Sequence, residues 1–168
     1  LAILKAKLAP IAQQKNIRMD SLPGVVLDDD QAQLVGDWVV SQHTAPFLEA
    51  GYRHDAATSR GQKTATFQTQ TLPAGKYDVR MSYSMGSNRA TNVTVDVFSA
   101  DGQTTLRVNQ QQRPNVDGIW HSLGSFRFEV NGQAYVMISN QDADGHVIID
   151  VVQFFPIAEV SSPKESKQ

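Results

Sequence analysis

From Gly24 onward the chain alternates apolar and polar positions with a period of two, the signature of half-buried strands. In the run from Lys76 to Tyr83, the residues Tyr77, Val79, Met81 and Tyr83 share one face. Val93, Val95 and Val97 alternate with Thr94 and Asp96, and Leu106 and Val108 follow. Phe126, Phe128 and Val130 alternate with Arg127 and Glu129, ahead of Val136 and Ile138. The last run, Val147 to Phe154, is apolar on both faces over much of its length, as a central strand of a sandwich should be. Turn dipeptides separate the runs. Asp101-Gly102 and Asn131-Gly132 each predict a two-residue hairpin, because Asn, Asp and Gly tolerate positive φ. Roughly nine strands at this spacing predict an all-β fold, an antiparallel β-sandwich or barrel.

The first residues differ. Leu1, Leu4, Leu8 and Ile11 recur at three and four, which predicts a short N-terminal helix that Pro10 divides. Residues 1–23 therefore read as helix and linker, 24–157 as the β domain, and 158–168 as a polar tail. The chain begins at Leu1 with no leader ahead of it, so it is expected to be processed or cut from something longer. The apolar stripe packs either on this domain or on a neighbour that preceded it.

Composition narrows the function. The 168 residues carry a formal charge of −2, which excludes a binder held to nucleic acid by a basic face. The same balance excludes a polybasic membrane-surface protein, and no run of about 18 apolar residues offers a membrane span. The lack of cysteine excludes disulfides, thiolate nucleophiles and cysteine-held metal centres. No P-loop, dinucleotide fingerprint or nucleophile elbow occurs.

Candidate chemistry lies in loops and at strand ends. The four histidines, His43, His54, His121 and His146, lack the close spacing of a metal motif. In the run Asp28-Asp29-Asp30, strand alternation would put Asp28 and Asp30 on one side. Asp150 is a carboxylate among Val and Ile on the last strand, and a buried carboxylate needs a partner or an ion. Either a structural Ca²⁺ joins Asp28, Asp30 and Asp150 across the first and last strands, or Asp150 accepts a backbone N–H or an arginine. Tyr52-Arg53-His54-Asp55 and Ser87-Asn88-Arg89 are polar loop clusters, and Trp120 lies beside the turn at Asp117-Gly118. Exposed Tyr52 and Trp120 could stack on a sugar ring while Arg53, His54, Asp55, Asn88 and Arg89 bond its hydroxyls or an acidic group. Alternatively, Trp120 caps the core and Arg89 pins a loop through carbonyls. Trp38 reads as core.

Several segments form a specific combination: Val25-Val26-Leu27-Asp28-Asp29 with Gly36-Asp37-Trp38; Gly51 to Asp55; Leu72 to Arg80; and, most distinctive, Tyr83 to Val93. Val108-Asn109-Gln110, Leu123 to Phe128 and Asp144 to Phe154 complete the set. Together they resemble the golvesin-like domain, also called the xanthan-lyase carbohydrate-binding-like domain, over about Gly24 to Pro156. It implies a jelly-roll β-sandwich similar to carbohydrate-binding modules. Such domains end larger exported bacterial enzymes, including polysaccharide lyases and FAD-dependent oxidoreductases of planctomycete type. It supplies no catalytic residues.

The expected function is a non-catalytic module, secreted or periplasmic, that holds a parent catalytic domain on polysaccharide. The alternative is a structural domain that docks on that catalytic partner. No cofactor is expected beyond the Ca²⁺.

Overall fold

The computed structural model describes residues 16–158, and the helix expected at the amino terminus and the polar tail lie outside them. Fourteen strands follow one another: β1 (Asn16–Ile17), β2 (Val25–Asp28), β3 (Gln33–Val35), β4 (Val39–Ser41), β5 (Phe47–Leu48), β6 (Tyr52–His54), β7 (Thr64–Gln68), β8 (Gly75–Ser82), β9 (Val93–Ser99), β10 (Gly102–Val108), β11 (Trp120–Phe128), β12 (Tyr135–Ser139), β13 (Ile148–Ile149) and β14 (Val151–Pro156). The one helical element described is a 3-10 turn over Asp29–Gln31. No helix among the described residues is long and apolar enough to cross a membrane.

Two antiparallel sheets make the sandwich. One has the order β10-β9-β12-β7-β3, the other β11-β8-β14-β2. Alternation decides what each turns inward. Across the first sheet, Leu106, Val95, Ile138, Ala65 and Leu34 are register partners in one row. Across the second, Val79, Phe154 and Val25 form a row, as do Met81, Val152 and Leu27. These rows meet in one continuous core with Phe67, Tyr77, Phe128 and Val136. The apolar area so removed from water is the main force holding the layers together. Trp38 joins this core, as expected.

A third sheet, β13-β6-β4, and the parallel pair β1-β5 sit apart from the two large sheets. Their strands are two or three residues long, too short for alternation to register, which is why the sequence predicts fewer strands than the fold contains. Three further expectations change. Asn131-Gly132 does not close a hairpin, because β11 and β12 belong to different sheets and the turn carries the chain between layers. The final apolar run is two strands, since Ile148 and Ile149 pair with β6 and the chain switches at Asp150 to pair with β2 and β8. The hairpin at Asp101-Gly102 forms, joining β9 to β10 with positive φ at Gly102.

Candidate functional site

At one end of the sandwich, β6 and two loops enclose a cleft of about 380 Å³, near the lower limit for small-ligand sites. β6 contributes Tyr52 and His54, which alternation places on one side. The loop after β8 contributes Gly86, Ser87, Asn88 and Arg89, and the loop before β13 contributes His146. Ser41, His43 and Thr44 complete the wall.

The two loops are laced together through backbone. His146 N–H donates to the Asn88 carbonyl at 2.9 Å, and Ala90 N–H donates to the His146 carbonyl at 2.8 Å. Glycine is required at 145, because a Cβ there would lie 2.6 Å from the Arg89 carbonyl oxygen. Arg89, 7 % exposed, donates from Nε to the Ser84 carbonyl at 3.0 Å, from Nη1 to Asn88 Oδ1 at 2.7 Å and from Nη2 to Ser84 Oγ at 3.2 Å. Its guanidinium carbon lies 5.9 Å from the centre of the Tyr52 ring. The Tyr52 hydroxyl is held at 3.2 Å by both Ser41 Oγ and the Thr44 N–H.

The imidazoles of His54 and His146 meet edge to face, 5.7 Å between centres. His54 Nδ1 accepts the Ala56 N–H at 3.1 Å, which puts the proton of the neutral ring on Nε2. His146 Nδ1 lies 3.2 Å from the Asn88 carbonyl and donates to it, which leaves Nε2 as an acceptor. Burial lowers the pKa of His54, and the neighbouring His146 and Arg89 lower it further. With the rings in these tautomers the cleft offers donors, an imidazole acceptor and one fixed guanidinium.

Of the residues singled out in sequence, Tyr52, His54, Asn88 and Arg89 come together here and Arg53, Asp55 and Trp120 do not. Arg53 turns to the opposite side of β6 and bonds Asp29 at 2.6 Å. Asp55 is fully buried and accepts the N–H groups of Ala57 and Val147 and the amide of Asn140. Trp120, 5 % exposed, packs with Leu48, Ile119 and Val151 in a small second core. Neither aromatic has an open ring face, since Tyr52 is 2 % exposed, so the expected stacking on a sugar falls away and hydrogen bonding remains. No local pattern marks His146 as a wall residue, because only the backbone lacing around Gly145 brings it to Arg89.

The acidic cluster takes a different form from that expected. β2 ends at Asp28 and the 3-10 turn breaks the alternation, so Asp29 turns inward and Asp30 outward into solvent. Asp28, Asp29 and Asp150 each offer an oxygen, and the three lie within 4.8 Å of one another. Asp150 is 1 % exposed; its Oδ2 accepts the Leu48 N–H at 3.0 Å, and its Oδ1 has no partner. Asp28 Oδ1 is likewise buried without a partner. Burial raises all three carboxyls, Asp28 to about 7 and Asp150 well above its usual range, with the neighbouring aspartates adding to the rise for Asp28 and Asp150. A groove of about 680 Å³ lined by Asp20, Asp28, Asp30 and Glu49 opens beside the cluster. Two oxygens on one Ca²⁺, at 2.3–2.6 Å each, lie at most about 5 Å apart, so these three residues fit that ion.

Comparison with known proteins agrees with the architecture. Residues 25–156 match the family model described as Golvesin C-terminal domain. The chain is 34% identical over 143 residues to xanthan lyase from Bacillus sp. strain GL1, which covers 81% of this chain and 15% of that protein. It thus spans a small part of the curated relative's length. The structure of Paenibacillus xanthan lyase superposes with a TM-score of 0.74 at 32% identity over 80% of this chain and 13% of the other. A family 35 carbohydrate binding module from Clostridium thermocellum shares the fold, with a TM-score of 0.53 at 12% identity over 79% of this chain and 98% of the module.

Proposed function

We propose that this chain, which belongs to the Golvesin C-terminal domain family, is the non-catalytic carbohydrate-binding module of a larger exported bacterial enzyme and engages polysaccharide through the His54–Arg89 cleft. The observation that carries the reading is the convergence of His54, Asn88, Arg89 and His146 on one cleft from three separate chain segments. Polar groups locked in place by their own hydrogen bonds lose little entropy on binding, which suits recognition of hydroxyls. The likeness to a family 35 carbohydrate binding module supports the role. Affinity electrophoresis against neutral and acidic polysaccharides tests it. Retardation by at least one polysaccharide, lost in a His54→Ala/Asn88→Ala double variant, is expected; no retardation by any of them sinks the reading.

Docking on the parent catalytic domain is a second reading. Three exposed valines favour it, Val35 in β3 and Val39 and Val40 in β4, at 58%, 45% and 63% exposure. The apolar stripe of Leu1, Leu4, Leu8 and Ile11 lies outside the described residues.

We also propose that Asp28, Asp29 and Asp150 hold a structural Ca²⁺, with Asp29 taking the part expected of Asp30. The two unpartnered buried oxygens support this, since a buried carboxylate oxygen left bare is costly. The ion would tie β2 to the corner between β13 and β14, and the acidic groove gives it a way in.

A further inference from the structure

Arg89 is an anomaly in charge. A guanidinium this deeply buried is ordinarily paired, yet among the described residues no carboxylate comes within ion-pair distance of it. The residues lining the cleft include this arginine and three histidines and no acidic side chain. The imbalance is local, because the chain as a whole is acidic and a groove elsewhere is lined by four carboxylates. Arg89 spends three N–H groups on Ser84 and Asn88 and keeps two of its five.

We propose that the cleft selects a saccharide bearing a carboxylate, of the uronic acid kind, whose anion is the counter-charge that Arg89 lacks. The inference rests on the carbohydrate-binding reading above and names its ligand class. Arg89 is already fixed by Ser84, Asn88 and the Tyr52 ring, so little order is lost when an anion arrives. A flat carboxylate matches the fork geometry of a guanidinium better than a neutral hydroxyl does. His54 Nε2–H supplies a further donor, while the sugar's hydroxyls meet Asn88 and the free Nε2 of His146. A neutral sugar in the same place would cover the guanidinium and leave it without a counter-ion, which is unfavourable.

The test pairs each of three acidic polysaccharides (polygalacturonate, alginate and xanthan) with its carboxyl-reduced form, and measures binding to the full chain by calorimetry. For at least one pair the acidic form should bind roughly tenfold tighter or more, the size of one charge-assisted hydrogen bond. That preference should shrink in Arg89→Gln and His54→Ala variants, which remove the donors to the carboxylate, and it should weaken as salt is raised. His54 is only half-buried, so its variant remains informative if Arg89→Gln fails to fold. Equal binding of acidic and reduced forms, with loss in Asn88→Ala, overturns the charge selectivity while leaving the module reading intact. No binding of either form overturns both.

Discussion

Asp150→Asn is the substitution whose sign depends most on the acidic cluster. In the absence of a cation the wild-type side chain buries one bare oxygen beside two other carboxyls. Asparagine keeps the acceptor for the Leu48 N–H, and its amide can donate to the oxygens of Asp28 or Asp29. Removing a buried unsatisfied group of this kind is worth about 1–3 kcal/mol. For a chain of this length that corresponds to a rise in Tm of about 2–12 °C at pH 8 in EDTA. Calcium should close the gap or invert it. A site filled at a hundred times its Kd stabilises wild type by about 2.7 kcal/mol, and the variant, lacking a charged ligand, should gain little. Differential scanning fluorimetry at pH 8, with EDTA and with millimolar CaCl₂, reads both effects. A variant that melts lower in EDTA, together with a wild type that calcium does not shift, would refute the reasoning.

The same cluster predicts a pH dependence. The carboxyls are raised in the folded chain, so it holds protons that the unfolded chain releases, and cation-free stability should fall as pH rises from about 4 to about 7. Calcium needs the ionised forms, so its increment in Tm should be larger at pH 8 than at pH 5; an equal increment counts against the site. Gly145→Ala should cost about 1–3 kcal/mol and weaken polysaccharide binding, because the new methyl meets the Arg89 carbonyl and parts the two loops. Urea unfolding and affinity electrophoresis check the pair of effects. Asn140→Ala should destabilise by about 2–4 kcal/mol in urea, since its side chain accepts the N–H groups of Gly61 and Lys63 and donates to Asp55 and Thr58. Phe67→Ala, at a core position 1 % exposed, should cost about 3–5 kcal/mol in the same assay.

The long strands were legible because alternation is a local signal. Tyr77, Val79 and Met81 announce an inward face from eight residues of sequence, and the pairing partner need not be known. Where the chain changes layers the signal fails. Asn131-Gly132 has the composition of a hairpin turn, yet β12 pairs with β7 and β9 and leaves β11 to β8. The break at Asp150 is invisible for the opposite reason, since Ile149 and Val151 are both strand-like while belonging to different sheets.

The cleft was half legible. The sequence marks Tyr52, Arg53 and His54 together as one polar cluster, and only their pairing as the three-residue strand β6 separates Arg53 from its neighbours. Asp55 looked like a ligand group because aspartate is polar, whereas its oxygens are used up within the fold. Asp29 takes the place expected of Asp30 because a single 3-10 turn rotates the chain where strand alternation predicts otherwise. His146 reaches the site through contacts between distant segments, which no local pattern encodes.

The central claim is that the His54–Arg89 cleft meets polysaccharide. Amide and side-chain NMR shifts recorded while an acidic oligosaccharide is titrated into the isotopically labelled chain test it most directly. The account predicts saturable shifts confined to residues 41–44, 52–54, 86–89 and 145–146, with the guanidinium signal of Arg89 among the largest. Shifts centred on the outer face of the five-stranded sheet, around Phe98 and Tyr135, with the cleft resonances unmoved, would contradict it.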